Sequence, residues 1–218
     1  MISKRLRTIG DLINDNESVT DVGCDHGYLA IYLRQKGNTS RIICGDSKEG
    51  PLSQGRKNFA EDGFNDIETV LSDGLKQIDT VTDVIVMAGM GYHTVIDIMT
   101  ASEDKFAKAK KVIIQVNTDV DKMRKWLNEN EYTIINETII KEYKYYEILV
   151  VRKGIQKLSE EQIKYGPVLL EEKSEVFLEC YSQKARKLER ILGSLSDEHL
   201  DRPELQKQLD DIRKWVLE

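Results

Sequence analysis

One stretch, Asp21-Val22-Gly23-Cys24-Asp25-His26-Gly27, limits the possible folds of this chain more than any other. A short strand-forming run, Ser18-Val19-Thr20, precedes it. An apolar segment free of Gly and Pro, Tyr28-Leu29-Ala30-Ile31-Tyr32-Leu33, follows and reads as a helix. Strand, glycine-bearing turn and helix in that order open a nucleotide-binding α/β fold. Gly23 permits a sharp turn and close approach of backbone to a ligand, and Gly27 lets the helix start near the strand. The same pattern also serves as a plain strand-to-helix turn, so the rest of the chain must decide.

Charge sets this loop apart from a dinucleotide-binding one. Asp21 and Asp25 flank it, and Asp25 stands where such a loop has a second glycine. A pyrophosphate at the helix N-terminus would meet two carboxylates and lose part of its usual attraction. A cofactor with a cationic centre is favoured, and S-adenosylmethionine, with its sulfonium and amino groups, fits. An NAD-dependent oxidoreductase is the competing reading.

Later segments supply the other walls of a cofactor cleft. Arg41-Ile42-Ile43-Cys44-Gly45-Asp46 is a second strand, and Asp46 follows Gly23 at the distance expected of the acidic residue that holds ribose hydroxyls, with Ser47 beside it. A helix-cap role is the alternative for Asp46. Pro51 suits the first position of a helix that runs to about residue 60. A third strand over residues 67–71 leads to Ser72-Asp73-Gly74, where Asp73 either accepts from an adenine amino group or makes an Asp-Gly turn. Residues 83–88 form a nearly continuous apolar run, as a parallel strand buried on both faces requires. They run into Ala88-Gly89-Met90-Gly91, which puts backbone groups at the cleft. A fifth strand over 111–117 ends at Asn117, which can cap the helix carrying Met123, Trp126 and Leu127.

Residues 132–140 and 145–151 read as two strands joined by a short polar turn. A closing hairpin departs from the strand-helix alternation of a dinucleotide fold and matches the methyltransferase variant, whose last strand inserts antiparallel. The expected fold class is therefore α/β and Rossmann-like, in its methyltransferase variant with a mostly parallel sheet. It occupies residues 1–155. From 156 to 218 the pattern changes. Tyr165-Gly166-Pro167 breaks the chain, and Phe177, Tyr181, Lys184, Leu188, Ile191 and Leu195 alternate steps of four and three, as do Leu205, Leu209, Ile212 and Val216. An antiparallel helical coiled-coil hairpin is predicted, with Lys184 interrupting the seam.

The formal net charge is -6, and both parts of the chain are net negative, so an RNA partner must be held by local patches. Two are available. Ile2, Leu6, Ile9 and Ile13 form an apolar stripe on an N-terminal helix that turns Lys4, Arg5 and Arg7 outward; Lys184, Arg186, Lys187 and Arg190 crowd one C-terminal helix. The cysteines, Cys24, Cys44 and Cys180, lack metal-ligand spacing, and no apolar run reaches the length of a membrane span. A reduced, cytoplasmic setting without metal or membrane is expected.

The segments Ser3-Lys4-Arg5-Leu6, Asp21 to Leu29, Glu49-Gly50-Pro51, Ala88-Gly89-Met90-Gly91, Tyr145-Tyr146-Glu147-Ile148-Leu149 and Tyr165-Gly166-Pro167, in this order, resemble the bacterial TrmK family. Its members are tRNA (adenine-N1)-methyltransferases acting on adenine 22 of the D-arm, and the resemblance implies an S-adenosylmethionine-dependent, Rossmann-like enzyme of the seven-stranded class followed by a C-terminal helical coiled-coil domain. The resemblance implies that Asp21, Gly23, Cys24, Asp25, His26 and Gly27 line the methionine side of the cofactor. It also implies that Asp46 and Ser47 hold the ribose, Asp73 and Gly74 sit by the adenine, and Ala88 to Gly91 complete the site. Asp25, His26 and Asn117 are the side chains expected near the charge that grows on the methylated base, without an assigned general base. Tyr92 or Tyr146 could stack on that base. Tyr92 replaces the last glycine of a Gly-Met-Gly-Gly pattern, which keeps a catalytically silent binding module open. Gly27 replaces a frequent alanine, a change expected to be harmless. Methylation of another substrate, with the helical hairpin making a dimer, is the other alternative to a tRNA-modifying monomer.

Overall fold

The computed structural model describes residues 2–218. The chain opens with α1 (Lys4–Asp11), whose first turn is closed by Ser3 Oγ accepting the Leu6 N–H at 3.2 Å. Then come β1 (Val19–Val22), α2 (Tyr28–Gln35), β2 (Ile42–Asp46), α3 (Glu49–Glu61), β3 (Glu68–Leu71), β4 (Val84–Met90), α4 (Tyr92–Ala101), α5 (Glu103–Lys108), β5 (Lys111–Val116) and α6 (Val120–Glu129). The hairpin pair β6 (Tyr132–Lys141) and β7 (Tyr145–Lys153) follows. The chain ends in α7 (Glu160–Tyr165), α8 (Pro167–Glu172), α9 (Glu175–Ser194) and α10 (Arg202–Ile212), the last continuing as a wider turn over Arg213–Leu217.

The strands form one sheet in the order β3-β2-β1-β4-β5-β7-β6. All neighbours from β3 to β5 are parallel, and β7 lies antiparallel between β5 and β6. The order reverses between β1 and β4, which opens a crevice at the carboxyl ends of these strands. Both faces are covered. Leu29, Leu33, Leu52 and Phe59 of α2 and α3 pack on one, with Ile9 of α1. Val95, Met99, Phe106, Met123 and Leu127 of α4, α5 and α6 pack on the other. Burial on both faces is why β4 reads as an unbroken apolar run.

Several local expectations shift. Asp21 belongs to the strand rather than the turn, because β1 pairs through Val22 with both β2 and β4. The helix after β2 starts at Glu49, and Pro51 sits inside its first turn, where its missing N–H costs nothing. On α9 the buried stripe runs through Phe177, Tyr181, Ala185 and Leu192, not Lys184 and Ile191. A 3.6-residue helix drifts off a strict seven-residue repeat, so Ala185 faces inward and Lys184 lies outside with Nζ 4.1 Å above the Tyr181 ring. The apolar cluster of these helices includes Ile139 of β6, so they rest on the sheet edge as well as on each other.

A buried ion cluster fastens this attachment. Arg124 on α6, with no exposed surface, donates from Nε to Glu137 Oε1 at 2.6 Å and from Nη2 to Glu147 Oε2 at 2.5 Å. Glu137 Oε2 also accepts the backbone N–H groups of Val168 and Leu169, the first turn of α8. Gly166 has φ +94°, and a Cβ there would lie 2.6 Å from Glu137 Oε2. The Tyr165-Gly166-Pro167 break thus lets a helix start close against a buried carboxylate.

Candidate functional site

The crevice beyond β1, β2, β3 and β4 has two halves, and Gly23, Asp25 and Met90 line both. The larger, about 460 Å³, is walled by Asp46, Ser47, Asp73, Gly74 and Ile98. The smaller, about 320 Å³, is walled by Arg5, Asp21, Cys24, Tyr28, Ala88 and Gly89. The Met90 side chain lies over Gly23, where a Cβ would be 2.4 Å from its methyl carbon.

Asp21 is the most perturbed group in the crevice. The residue is 6% exposed. Burial, reinforced by the charge of Asp46 and opposed by Arg5, pushes its pKa up to about 7. A cation bound beside a carboxyl in such a desolvated site favours its ionised form, so the position suits a cationic ligand. Asp46 accepts the Asp25 N–H on Oδ2 at 3.3 Å and the Lys48 N–H on Oδ1 at 3.0 Å, leaving lone pairs toward the larger half. Asp73 pairs with Lys76 at 2.5 Å, and Ser72 Oγ donates to the Gly74 carbonyl at 2.9 Å, which fixes the turn after β3.

Not every expected residue forms the wall. His26, Gly27, Gly91 and Asn117 lie outside the two halves. His26 Nε2 is 3.5 Å from Asp25 Oδ1, and its carbonyl accepts from Asn58. Gly91 is the residue before α4. Asn117 Nδ2 donates to the Gly89 carbonyl at 2.7 Å and its N–H to the Met90 carbonyl at 2.9 Å, so it acts on the loop. Gly27 has φ +72°, and a Cβ there would lie 2.3 Å from the Phe59 ring. The ring of Phe59 fills the space a methyl group would need, so in this chain the position takes glycine.

The N-terminal helix does not turn all its cations outward. Lys4 and Arg7 are exposed, but Arg5 reaches into the crevice, because Leu6 and Ile9 pin α1 on the core with Arg5 on the inner flank. Its Nη1 donates to Gln115 Oε1 at 2.5 Å, its guanidinium lies 5.5 Å from the centre of the Tyr146 ring, and it covers Gly89. Gln115 has no exposed surface and its Oε1 also accepts the Gly89 N–H at 3.1 Å. Sequence reasoning missed Gln115. Its signal is a polar residue inside the apolar run Val112-Ile113-Ile114-Gln115-Val116, since buried polar groups are kept where they have partners.

Neither tyrosine suggested as a stacking surface is open to the crevice. Tyr146 is 4% exposed, and Tyr92 packs on the cluster of α4 and α6, with its ring 4.9 Å from that of His93. The second basic patch is a surface feature. Lys184, Arg186, Lys187 and Arg190 line a depression of about 500 Å³ together with Tyr145, Cys180 and Gln183. Among the described residues no group of His, Cys, Asp and Glu is placed to hold a metal ion, and no helix is long and apolar enough to cross a membrane.

Residues 19–214 match the family described as "TrmK: tRNA (adenine(22)-N(1))-methyltransferase". The chain belongs to this family. It is 31% identical to the tRNA (adenine(22)-N(1))-methyltransferase of Bacillus subtilis strain 168, over 96% of this chain and 97% of that one. Two solved TrmK-family relatives superpose along nearly the whole chain. The Streptococcus pneumoniae protein Sp1610, in complex with S-adenosyl-L-methionine, has a TM-score of 0.88 at 34% identity, covering 99% of this chain and 100% of that one. The TrmK of M. capricolum, in complex with S-adenosyl-homocysteine, has a TM-score of 0.83 at 28% identity, covering 99% and 98%.

Proposed function

We propose that this TrmK-family chain transfers a methyl group from S-adenosylmethionine to N1 of adenine 22 in tRNA. The observation that carries the reading is the buried, unpaired-in-charge Asp21 beside Gly23 at the switch between β1 and β4, with Asp46 at the end of β2. A cationic amino group suits Asp21, ribose hydroxyls suit Asp46 with Ser47, and an adenine suits the Asp73–Gly74 turn. The family relatives solved with the cofactor and its product support this assignment. A pyrophosphate would face Asp21, Asp25 and Asp46 together, which weighs against a dinucleotide.

When bound, S-adenosylmethionine supplies a methyl group on a sulfonium cation. N1 of adenine owns an in-plane lone pair, so the chain needs no general base to create the nucleophile. Its residues align the base and accept the growing positive charge. Asp25, which lines both halves of the crevice, is the side chain placed for that task, with Ala88, Gly89 and Met90 forming the adjoining wall. Asn117 acts as a positioning residue, holding the Gly89 and Met90 carbonyls, and His26 acts through Asp25.

Since N1 lies on the Watson–Crick edge, a paired target must leave its stack. The exposed cations Lys4 and Arg7 of α1, and Lys184, Arg186, Lys187 and Arg190 on α9, are the surfaces for tRNA phosphates. On this reading residues 1–155 perform catalysis, 156–218 hold RNA, and the protein works as a cytoplasmic monomer. Incubation with labelled S-adenosylmethionine and unmodified tRNA, followed by mapping of the modified base, tests it. Label at any position other than adenine 22, or none, would sink the reading.

A further inference from the structure

The turn between β6 and β7 carries a feature that the cofactor site does not use. Tyr143, at its tip, is 81% exposed, with its ring edge-on to that of Tyr146 at 5.5 Å and 89°. Tyr146 is buried and has two cations near its ring, Arg5 at 5.5 Å and Lys144 Nζ at 5.0 Å from its centre. Arg5 in turn reaches Gln115 and covers Gly89 at the smaller half of the crevice. Contacts therefore run unbroken from Tyr143 through Tyr146 and Arg5 to the loop beside the cofactor position.

The turn is also held in place. The Lys4 N–H donates to Glu142 Oε1 at 2.8 Å, and Lys4 Nζ donates to the Lys141 carbonyl at 3.2 Å. Within the turn the Glu142 N–H donates to the Lys144 carbonyl at 3.0 Å. An exposed aromatic ring on a turn tied to α1, with a lysine next to it and a guanidinium behind it, is the equipment that unpaired nucleic acid recognises. A ring face stacks a base whatever its identity, and adjacent cations take the phosphates.

We infer that Tyr143 is a nucleotide-stacking residue of this enzyme. It supports a base next to the target while the target occupies the crevice, and Lys144 takes a neighbouring phosphate. The inference rests on the tRNA reading above and adds a positioning residue that the family motifs do not contain. Extraction of an adenine breaks its stacking on both neighbours, and an aromatic platform replaces part of what is lost. Tyr146 cannot serve, because it is buried, and Tyr92 lines neither half of the crevice.

The test uses the full chain and unmodified tRNA. Tyr143→Ala is expected to raise both the Kd and the KM for tRNA roughly tenfold. Titration calorimetry should give an unchanged affinity for S-adenosylmethionine, and the melting temperature should be that of the wild type. Tyr143→Phe and Tyr143→Trp, which keep a ring face, should bind tRNA within about twofold of wild type. Lys144→Ala should lower the slope of log Kd against log salt by roughly one contact. Wild-type tRNA affinity in Tyr143→Ala overturns the inference, as does a Phe variant as weak as the Ala variant. A loss shared equally by S-adenosylmethionine binding would mean a structural role and overturns it too. If the wild type itself neither binds nor methylates tRNA, both this inference and the reading beneath it fall; if it does both and Tyr143→Ala is intact, only this one falls.

Discussion

Glu137 Oε2 accepts the backbone N–H of Val168 at 3.0 Å, so a buried carboxylate of the sheet caps the first helix after the Gly166-Pro167 break. The same side chain holds Arg124 through its other oxygen at 2.6 Å. One residue thus joins the catalytic sheet, α6 and the C-terminal helices. Removing one member of a buried ion cluster leaves its partners charged and unpaired, which costs about 3–5 kcal/mol. Glu137→Ala is therefore expected to lower stability by about that amount, measured by urea denaturation, and to expose the 166–172 segment to proteolysis. A loss below about 1 kcal/mol would refute the role of this cluster.

Asp21 should make cofactor binding pH-dependent. Its folded pKa is pushed up to about 7 by burial first and by Asp46 second. A bound amino cation favours the ionised form, so affinity for S-adenosylmethionine should rise as pH increases from 6 to 8, with proton release on binding. Calorimetry in buffers of different ionisation enthalpy reads both. A flat profile in the wild type would contradict the assignment of Asp21.

The same shift has an opposite consequence for stability. A raised folded pKa means that the contribution of this group is fully present below pH 3.8 and is lost as pH rises toward 7. Asp21→Asn removes that penalty. The variant should be more stable than wild type by roughly 1–3 kcal/mol at pH 8, with the gain shrinking toward pH 5, while S-adenosylmethionine affinity drops at least about tenfold. An Asn variant that keeps full cofactor affinity would show that Asp21 is structural only.

Gln115 ties Arg5 to the Gly89 N–H without touching solvent. Gln115→Ala leaves a buried N–H and a guanidinium without their acceptor, at about 1–3 kcal/mol of stability. The loop beside the target loses its fixed position, so kcat should fall by more than tenfold while the affinity for S-adenosylmethionine changes less. Equal losses in kcat and cofactor affinity would point to general collapse of the site instead.

Gly27 and Tyr92 are the departures from the family pattern, and they differ in consequence. Gly27→Ala drives a methyl group into the Phe59 ring at a left-handed backbone position and should cost about 1–3 kcal/mol; Gly27→Ala with Phe59→Leu should recover part of it. Tyr92→Gly should lose stability without gaining turnover, since Tyr92 packs against the apolar cluster under α4, α5 and α6 and lines neither half of the crevice. Higher turnover in Tyr92→Gly would mean that the side chain obstructs the target after all.

Much of the fold follows from the sequence by itself. Apolar runs ending in Asp21, Asp46, Asp73 and the Gly89-Met90-Gly91 loop are local signals, and in a parallel sheet every carboxyl end lies on one side. The hairpin, the helix-rich C-terminus and the charge of the crevice were legible for the same reason. Tertiary structure alone decided what depends on contacts between distant segments. Arg5 turns inward because a glutamine more than a hundred residues away offers it an acceptor. Gly27 is required because Phe59 takes its space, and Gly166 because Glu137 stands there. The inward face of α9 is set by Ala185 against its neighbours, since periodicity fixes a stripe only to within one residue. Around Asp21, sequence determined which charges meet, and packing determined that one of them is buried deeply enough to titrate near neutrality.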